Sequence, residues 1–234
     1  MPSDVGVDTE PKAQAGRKAA EYVKSGMVVG LGTGTTAEFA IRALAERVAS
    51  GQIENIQCIP TSTATRKLAD ELGLSIRGLE DVEWVDLTID GADQVDKNLN
   101  LIKGHGGALL REKVVAFSSG EVIIIVDESK LTENLGDGCA VPVEVIPFAE
   151  AVVRQALTNL GAEVEPRMDG DDPYITDNDN LILDCLYRAP FDPKHMEREI
   201  KRIPGVVESG LFVDITDRVV VGQATGGPRV IDAV

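Results

Sequence analysis

Four short polar segments in the first 130 residues carry the residue types that acid–base chemistry on a small anionic molecule requires. The first is Gly30-Leu31-Gly32-Thr33-Gly34-Thr35-Thr36, between an apolar run and a helical pattern. Glycines permit tight turns, and backbone N–H groups at a helix start attract anions. Threonine hydroxyls add donors, so the segment reads as a phosphate cradle. It lacks the Gly-Lys-Ser/Thr of a Walker loop and is not a clean GxGxxG fingerprint. The second is Asp90-Gly91-Ala92-Asp93, two carboxylates directly after an apolar strand. The third is Lys103-Gly104-His105-Gly106-Gly107, followed by Arg111-Glu112-Lys113. Glycines beside a lysine suit close approach of backbone to an anion. Glu112 beside Ala108, Leu109 and Leu110 would sit in a partly apolar pocket, where burial raises a carboxylate pKa towards the range of a general base. The fourth is Asp127-Glu128-Ser129-Lys130, with Lys130 placed to meet a substrate oxygen or phosphate. Each segment also has an ordinary reading: a glycine turn, an Asx turn, a solvated helix face and a solvated loop, in that order.

The elements that must position these groups alternate. Helical patterns are expected at Glu10–Lys24 (capped by Thr9 and ended by Gly26), Ala37–Val48, Thr63–Leu72 and Ala108–Phe117. Strands are expected at Met27–Leu31, Ile56–Ile59, Val85–Ile89, a short Asn98–Ile102 and the almost wholly apolar Val122–Val126. Such alternation predicts βαβ units and a doubly wound, mostly parallel, Rossmann-like sheet, with the chemistry beyond the carboxyl ends of its strands. After Gly136-Asp137-Gly138 the pattern becomes strand Val141–Ile146, helix Phe148–Leu160, strands Ala162–Arg167 and Leu181–Leu186, and helix Asp192–Arg202, with a further strand at Tyr174–Thr176. That order predicts a second, smaller ferredoxin-like α+β domain. Strands at Gly210–Asp214 and Arg218–Val221 could complete either domain. The expected division is 1–138 plus about 208–234 for the Rossmann-like catalytic domain and 139–207 for the ferredoxin-like domain, the latter at a subunit interface.

Bulk composition excludes other classes. With 39 acidic and 23 basic residues the net charge is −16, the wrong sign for nucleic acid or an anionic membrane surface. An acidic surface poor in lysine fits a salty cytoplasm, where ions screen self-repulsion. Hydrophobic residues at 43% support a sizeable core, and aromatics at only 4% leave it to Val, Ile, Leu and Ala. Cys58, Cys139 and Cys185 form no CxxC pair, and the chain has two histidines, so neither zinc nor a disulfide framework is expected. No apolar stretch reads as a signal peptide or membrane span, which points to the cytoplasm.

Taken together, GTGTTA at Gly32–Ala37, DGAD at Asp90–Asp93, KGxGxxLxREK at Lys103–Lys113 and DESK at Asp127–Lys130 resemble the ribose-5-phosphate isomerase A family. Fainter likeness continues through Pro142–Val145, Thr176–Asp184 and Ile203–Phe212, and so spans nearly the whole chain. The resemblance implies an aldose–ketose isomerase of the non-oxidative pentose phosphate pathway that uses no cofactor and no metal and forms a homodimer or homotetramer. It also implies that Glu112 shuttles the proton and that Lys103 and Asp90 act at the reacting end of the sugar. Substrate-binding positions would be Thr33, Gly34, Thr35, Thr36, Asp90, Gly91, Ala92, Asp93, Lys103, Gly104, His105, Gly106 and Lys130. Lys12 falls where a basic residue near the phosphate is plausible. One departure stands out: the family usually reads KGGGAA where this chain reads KGHGGA, so His105 replaces a glycine and either turns to solvent or touches the sugar.

Isomerisation through an enediolate needs a carboxylate base, a cation or donor for the developing oxyanion, and a grip on the remote phosphate. Glu112, Lys103 and the Thr33–Thr36 loop supply these in turn. Three other readings remain open. A glucosamine-6-phosphate isomerase/deaminase or a sugar-phosphate lactonase fits the REK and ESK segments less well. A sugar-phosphate-sensing regulator would carry a basic DNA-reading domain. A nucleotide-binding oxidoreductase would want an acid where this chain has Pro60-Thr61-Ser62-Thr63.

Overall fold

The apolar run around Ile124 becomes the strand Val122–Asp127, buried on both faces in a six-stranded sheet. Ile123 and Ile125 join the cluster beneath the first two helices, and Ile124 alternates to the opposite face, which is why the run shows no polar positions. The computed structural model describes residues 10–233. In it the chain forms two compact units, Met1–Gly91 with Arg111–Lys130 and Ile215–Val234, and Ala92–Leu110 with Leu131–Asp214.

In the first unit the strands lie in the order Arg229–Asp232, Arg218–Gly222, Val122–Asp127, Leu87–Gly91, Val28–Leu31, Gln57–Pro60. All pairings are parallel except the edge strand Arg229–Asp232, which runs antiparallel to Arg218–Gly222. Helices Pro11–Ala20 and Thr35–Ala49 cross closely, because Ala15, Ala19, Ala40 and Ala43 line their contact and a Cβ on Gly16 would sit 2.7 Å from the Ala40 nitrogen. Helix Leu109–Phe117 turns Val115 into a cluster with Ile59 and Val85.

The second unit pairs a four-stranded antiparallel sheet, in the order Val206–Ser209, Val141–Val145, Leu181–Tyr187, Ala162–Pro166, with helices Glu150–Asn159 and Pro193–Lys201. Numbered along the chain this is β-α-β-β-α-β with sheet order 4-1-3-2, the ferredoxin-like arrangement. Val141, Val143, Val145, Leu183 and Cys185 face the helices, and Pro142, Glu144, Ile182 and Asp184 face the other side. A three-stranded ribbon, Leu211–Phe212, Leu101–Ile102, Gln94–Val95, belongs to the same unit.

Several boundaries differ from the sequence reading. The first helix stops at Ala20, and the N–H of Gly26 instead bonds the Glu54 carbonyl, closing the next turn. Its N-cap is Glu10, without a side-chain cap bond, and the expected cap Thr9 lies outside the described residues. Val85 makes only an isolated bridge to Ser119 ahead of the strand. No strand forms at Tyr174–Thr176. A two-residue pair, Met168–Asp169 with Asp172–Pro173, forms just before it, and the Thr176 hydroxyl donates instead to the buried Glu144 carboxylate at 3.0 Å.

Candidate active site

The carboxyl edge of the parallel sheet is built around Asp90. This residue closes the Leu87–Gly91 strand with 2% exposure. Its Oδ1 accepts the N–H of Thr33 at 3.1 Å and the N–H of Gly91 at 2.7 Å. The segment after Val28–Leu31 passes so close that a Cβ on Gly32 would fall 2.1 Å from Asp90 Oδ1. Glycine at 32 is therefore what lets the cradle and the carboxylate adjoin. Gly34, at φ +104°, then swings the chain into helix Thr35–Ala49, whose bonding begins with the Glu38 N–H on the Gly34 carbonyl. The N–H groups of Thr35, Thr36 and Ala37 thus have no partner within the helix, and they sit at its positive end. Lys12 Nζ donates to Thr35 Oγ1 at 3.2 Å, which adds a cation to that helix start.

Thr33 behaves differently from its loop neighbours. Its hydroxyl turns inward, 2.8 Å from Thr61 Oγ1, 2.9 Å from Ser62 Oγ and 3.1 Å from Thr65 Oγ1. Thr65 Oγ1 also donates to the Gly32 carbonyl at 2.9 Å, and Thr61 Oγ1 to Leu31 O at 3.0 Å. This hydroxyl cluster buttresses the cradle from below. It occupies the Thr61–Ser62 position where a dinucleotide site would place an acid. In the sequence alone those residues register only as a missing carboxylate. Their hydroxyls, clustered after a strand, were the available signal.

Helix Leu109–Phe117 inverts the usual surface pattern. Glu112 and Lys113 are 4% and 9% exposed, whereas Val114 and Phe117 stand at 43% and 86%. Glu112 lies three residues before Val115 and so shares its inward face. A Cβ on Gly30 would come 2.7 Å from Val115 Cγ1, which shows how closely that face meets the sheet. A solvated charge run at Arg111–Lys113 is thereby corrected. On the same edge, Lys130 ends the short helix Glu128–Ser129–Lys130, in which Ser129 N donates to Asp127 Oδ1 at 2.9 Å. Gln223 Nε2 holds Glu128 Oε1 at 3.0 Å.

The second unit carries Ala92, Asp93, Lys103, Gly104, His105 and Gly106. Lys103 is 3% exposed, its N–H bonds the Gly210 carbonyl at 2.9 Å, and its Nζ lies 5.5 Å from the Phe212 ring centroid. Asp93 Oδ2 accepts the His105 N–H at 3.1 Å, while His105 Nδ1 stands 3.6 Å from Asp93 Oδ1 and Nε2 lies 3.2 Å from the Ala140 carbonyl. The imidazole makes these contacts within its own unit while its side chain stays 45% exposed. Among the described residues no group of three or more His, Cys, Asp or Glu is arranged to hold a metal ion, and no helix is long and apolar enough to cross a membrane. All three cysteines are buried free thiols. Burial pushes Cys58 up to about 12 and Cys185 well above its ordinary value.

The family model for ribose 5-phosphate isomerase A (phosphoriboisomerase A) matches residues 57–226. The chain belongs to this family. A ribose-5-phosphate isomerase A of Desulfatibacillum aliphaticivorans is 49% identical over 216 residues, covering 92% of this chain and 94% of its own. That of Jannaschia sp. is 46% identical, covering 94% and 86%. Among solved structures, a D-ribose-5-phosphate isomerase in complex with phospho-erythronic acid superposes with TM-score 0.92 at 41% identity, over 95% of this chain and 97% of that one. The Plasmodium falciparum ribose 5-phosphate isomerase gives TM-score 0.92 at 38% identity, over 96% and 98%. The family expected from the four motifs, and the mixed α/β fold with its largely parallel sheet, are thus borne out.

Proposed function

We infer that the chain interconverts D-ribose 5-phosphate and D-ribulose 5-phosphate, with Glu112 as the base that carries the proton. The supporting observation is the burial of the Glu112 carboxylate to 4% exposure on the sheet-facing side of its helix, beside residues as apolar as Leu109 and Val115.

In the open-chain aldose, Glu112 takes the C2 proton, and the electron pair moves into the C1–C2 bond to give an enediolate. Returning the proton to C1 gives the ketose. A proton must also pass from the C2 oxygen to the C1 oxygen, and Asp90, fixed by two backbone N–H groups, suits that relay or the preceding ring opening. Lys103, nine residues before Glu112, supplies positive charge for the enediolate oxygen. The phosphate falls to the start of helix Thr35–Ala49, where backbone N–H groups, Thr35, Thr36 and Lys12 offer donors. Thr33 contributes its backbone N–H by holding Asp90. Gly34, Gly91, Ala92, Asp93, Gly104, His105, Gly106 and Lys130 complete the proposed binding set. Binding energy from the phosphate aligns the reacting carbons. No cofactor is called for, and the proposed setting is the cytoplasm.

Glu112→Gln keeps the shape and removes the base. Turnover should fall by about 10²–10⁴-fold with KM within a few-fold. Near wild-type turnover in a folded Glu112→Gln protein removes Glu112 from the mechanism.

A further inference from the structure

Arg167 lies just past the strand Ala162–Pro166, where its N–H bonds the Ile182 carbonyl at 2.9 Å and its own carbonyl accepts the Tyr174 N–H at 2.9 Å. Its side chain is only 13% exposed, and all three guanidinium nitrogens are engaged. Nε and Nη2 grip the two oxygens of Asp184 at 2.9 and 2.5 Å. That bidentate contact fixes the plane of the guanidinium. The remaining nitrogen, Nη1, is thereby aimed at two successive backbone carbonyls, Gly104 at 2.7 Å and His105 at 3.1 Å.

Those carbonyls belong to the turn that leaves Lys103. Gly104 has φ +104° and Gly107 φ +79°, and the Gly107 N–H closes the turn on the Gly104 carbonyl at 3.0 Å. Tyr174 fills the space a side chain at 107 would need: a Cβ there would lie 2.1 Å from its hydroxyl oxygen. The same ring stacks 5.9 Å from the Arg167 guanidinium carbon. Lys103 is thus held at its N–H by the Gly210 carbonyl, and one peptide further on the Gly104–His105 group is held at its carbonyl by Arg167 and at its N–H by Asp93. Without Arg167, two adjacent carbonyls lose a charged donor in a turn whose glycines resist rotation least.

We propose that Arg167, oriented by Asp184, is a positioning residue of the isomerase: it sets the peptide planes of the Gly104–Gly107 turn and so the placement of Lys103 and Asp93. The inference rests on Lys103 taking part in the reaction. A plain ion pair joining strand to turn would also lower stability when broken, but it would leave turnover alone. Positioning predicts a loss in kcat that exceeds any rise in KM: the turn carries Gly104, His105 and Gly106 of the proposed binding set, but the phosphate is assigned to other residues. Lysine cannot replace Arg167, because one ammonium lacks the fork that spans Asp184 and both carbonyls.

The test measures kcat, KM and melting temperature for Arg167→Ala, Arg167→Lys and Lys103→Ala. Turnover in both Arg167 variants should drop by roughly 10–100-fold, the range expected when a catalytic group is misplaced by about an ångström. KM should rise by a smaller factor than kcat falls, and guanidinium chloride at low concentration should restore part of the Arg167→Ala turnover where sodium chloride does not. If both variants fold and keep kcat within about threefold while Lys103→Ala is inactive, the positioning role is wrong, whatever the melting temperatures. Should Lys103→Ala itself remain active, the reading of Lys103 fails instead, and with it the basis of this inference. If Arg167→Ala does not fold, Arg167→Lys and Asp184→Asn decide by the same kcat criterion.

Discussion

The close approach of Gly32 to Asp90 offers an incisive test of the parallel-sheet unit. A methyl group at Gly32 would lie 2.1 Å from Asp90 Oδ1, 2.3 Å from Cγ and 2.5 Å from Cα. Carbon–carbon contacts settle near about 3.5–4.0 Å, so the gap must open by roughly an ångström. Rotation of the Asp90 side chain relieves the first two contacts and not the third. The Asp90 Cα belongs to a strand paired on both sides, with Asp90 opposite Ile124 and Ile89 opposite Leu31, and the Gly32 N–H is bonded to the Ile89 carbonyl at 2.9 Å. Either the cradle lifts or the strand yields. Overpacking of this kind costs about 1–3 kcal/mol, which for a chain of this size corresponds to a melting temperature lower by about 2–12 °C. Displacing Asp90 and the Thr33 N–H by an ångström should cut kcat/KM about 10²-fold. Gly91→Ala provides the stability control, because its new methyl would meet nothing nearer than 3.9 Å and should leave the melting temperature unchanged. Steady-state conversion of ribose 5-phosphate, scanned alongside thermal unfolding, reads both effects. A Gly32→Ala protein with wild-type melting and turnover would show that Asp90 needs no glycine beside it, and the reasoning from close approach would be refuted.

Two further outcomes follow from burial. Removing the Thr33 hydroxyl in Thr33→Val takes one partner from the buried hydroxyls of Thr61, Ser62 and Thr65, which keep their bonds to Leu31 O, to one another and to Gly32 O, so stability should fall by about 0.5–1.5 kcal/mol with KM nearly unchanged; a tenfold rise in KM at constant melting temperature would assign the hydroxyl to substrate instead. Cys58 ionises near 9.0 when unfolded and near 12 when folded, so the unfolded state alone sheds its proton between those values. Stability from this group is complete below pH 9 and is lost as pH rises towards 12, by up to about 4 kcal/mol. Urea unfolding of Cys58→Ala and the parent between pH 8 and 11 checks the sign: the parent should lose stability faster with pH, and parallel curves would contradict the assignment.

Local signals carried the elements that local physics decides. Val122–Asp127 was legible because a strand covered on both faces has no polar alternation, and Thr35–Ala49 because a glycine–threonine turn precedes a helical period. Glu112 could be singled out as a base candidate beside Ala108, Leu109 and Leu110, but its flanks support a partly apolar pocket and a solvated face alike. Arg111 and Lys113 make it look like a surface run, and only the packing of Val115 against Ile59 and Val85 turns that face inward. Strands of two residues, such as Gln94–Val95, have too few side chains to show any period. The Tyr174–Thr176 expectation failed for a related reason: β-favouring residues there are claimed by Glu144, buried among Thr176, Asn178 and Asn180 side chains. Glu144 lies within the strand Val141–Val145, and nothing in its immediate sequence says that its carboxylate faces inward.

The groups that could be named from sequence are those that touch substrate in the proposed reaction, and the groups that could not are those that hold them. Asp90, Lys103 and Glu112 sit in short glycine-flanked or charge-flanked segments whose composition is itself the signal. Their supports come from far along the chain: Thr61, Ser62 and Thr65 reach Thr33 across 28, 29 and 32 residues, and Arg167 reaches Gly104 across 63. A hydroxyl or a guanidinium on an ordinary strand end has no local feature that marks its destination. Such residues become visible only when the sheet register brings Asp184 opposite Glu165 and next to the turn that Arg167 spans. Substituting them should therefore affect the reaction through the placement of Lys103 and Asp90, and the separation of kcat from KM, rather than the loss of stability, is the quantity that reveals it.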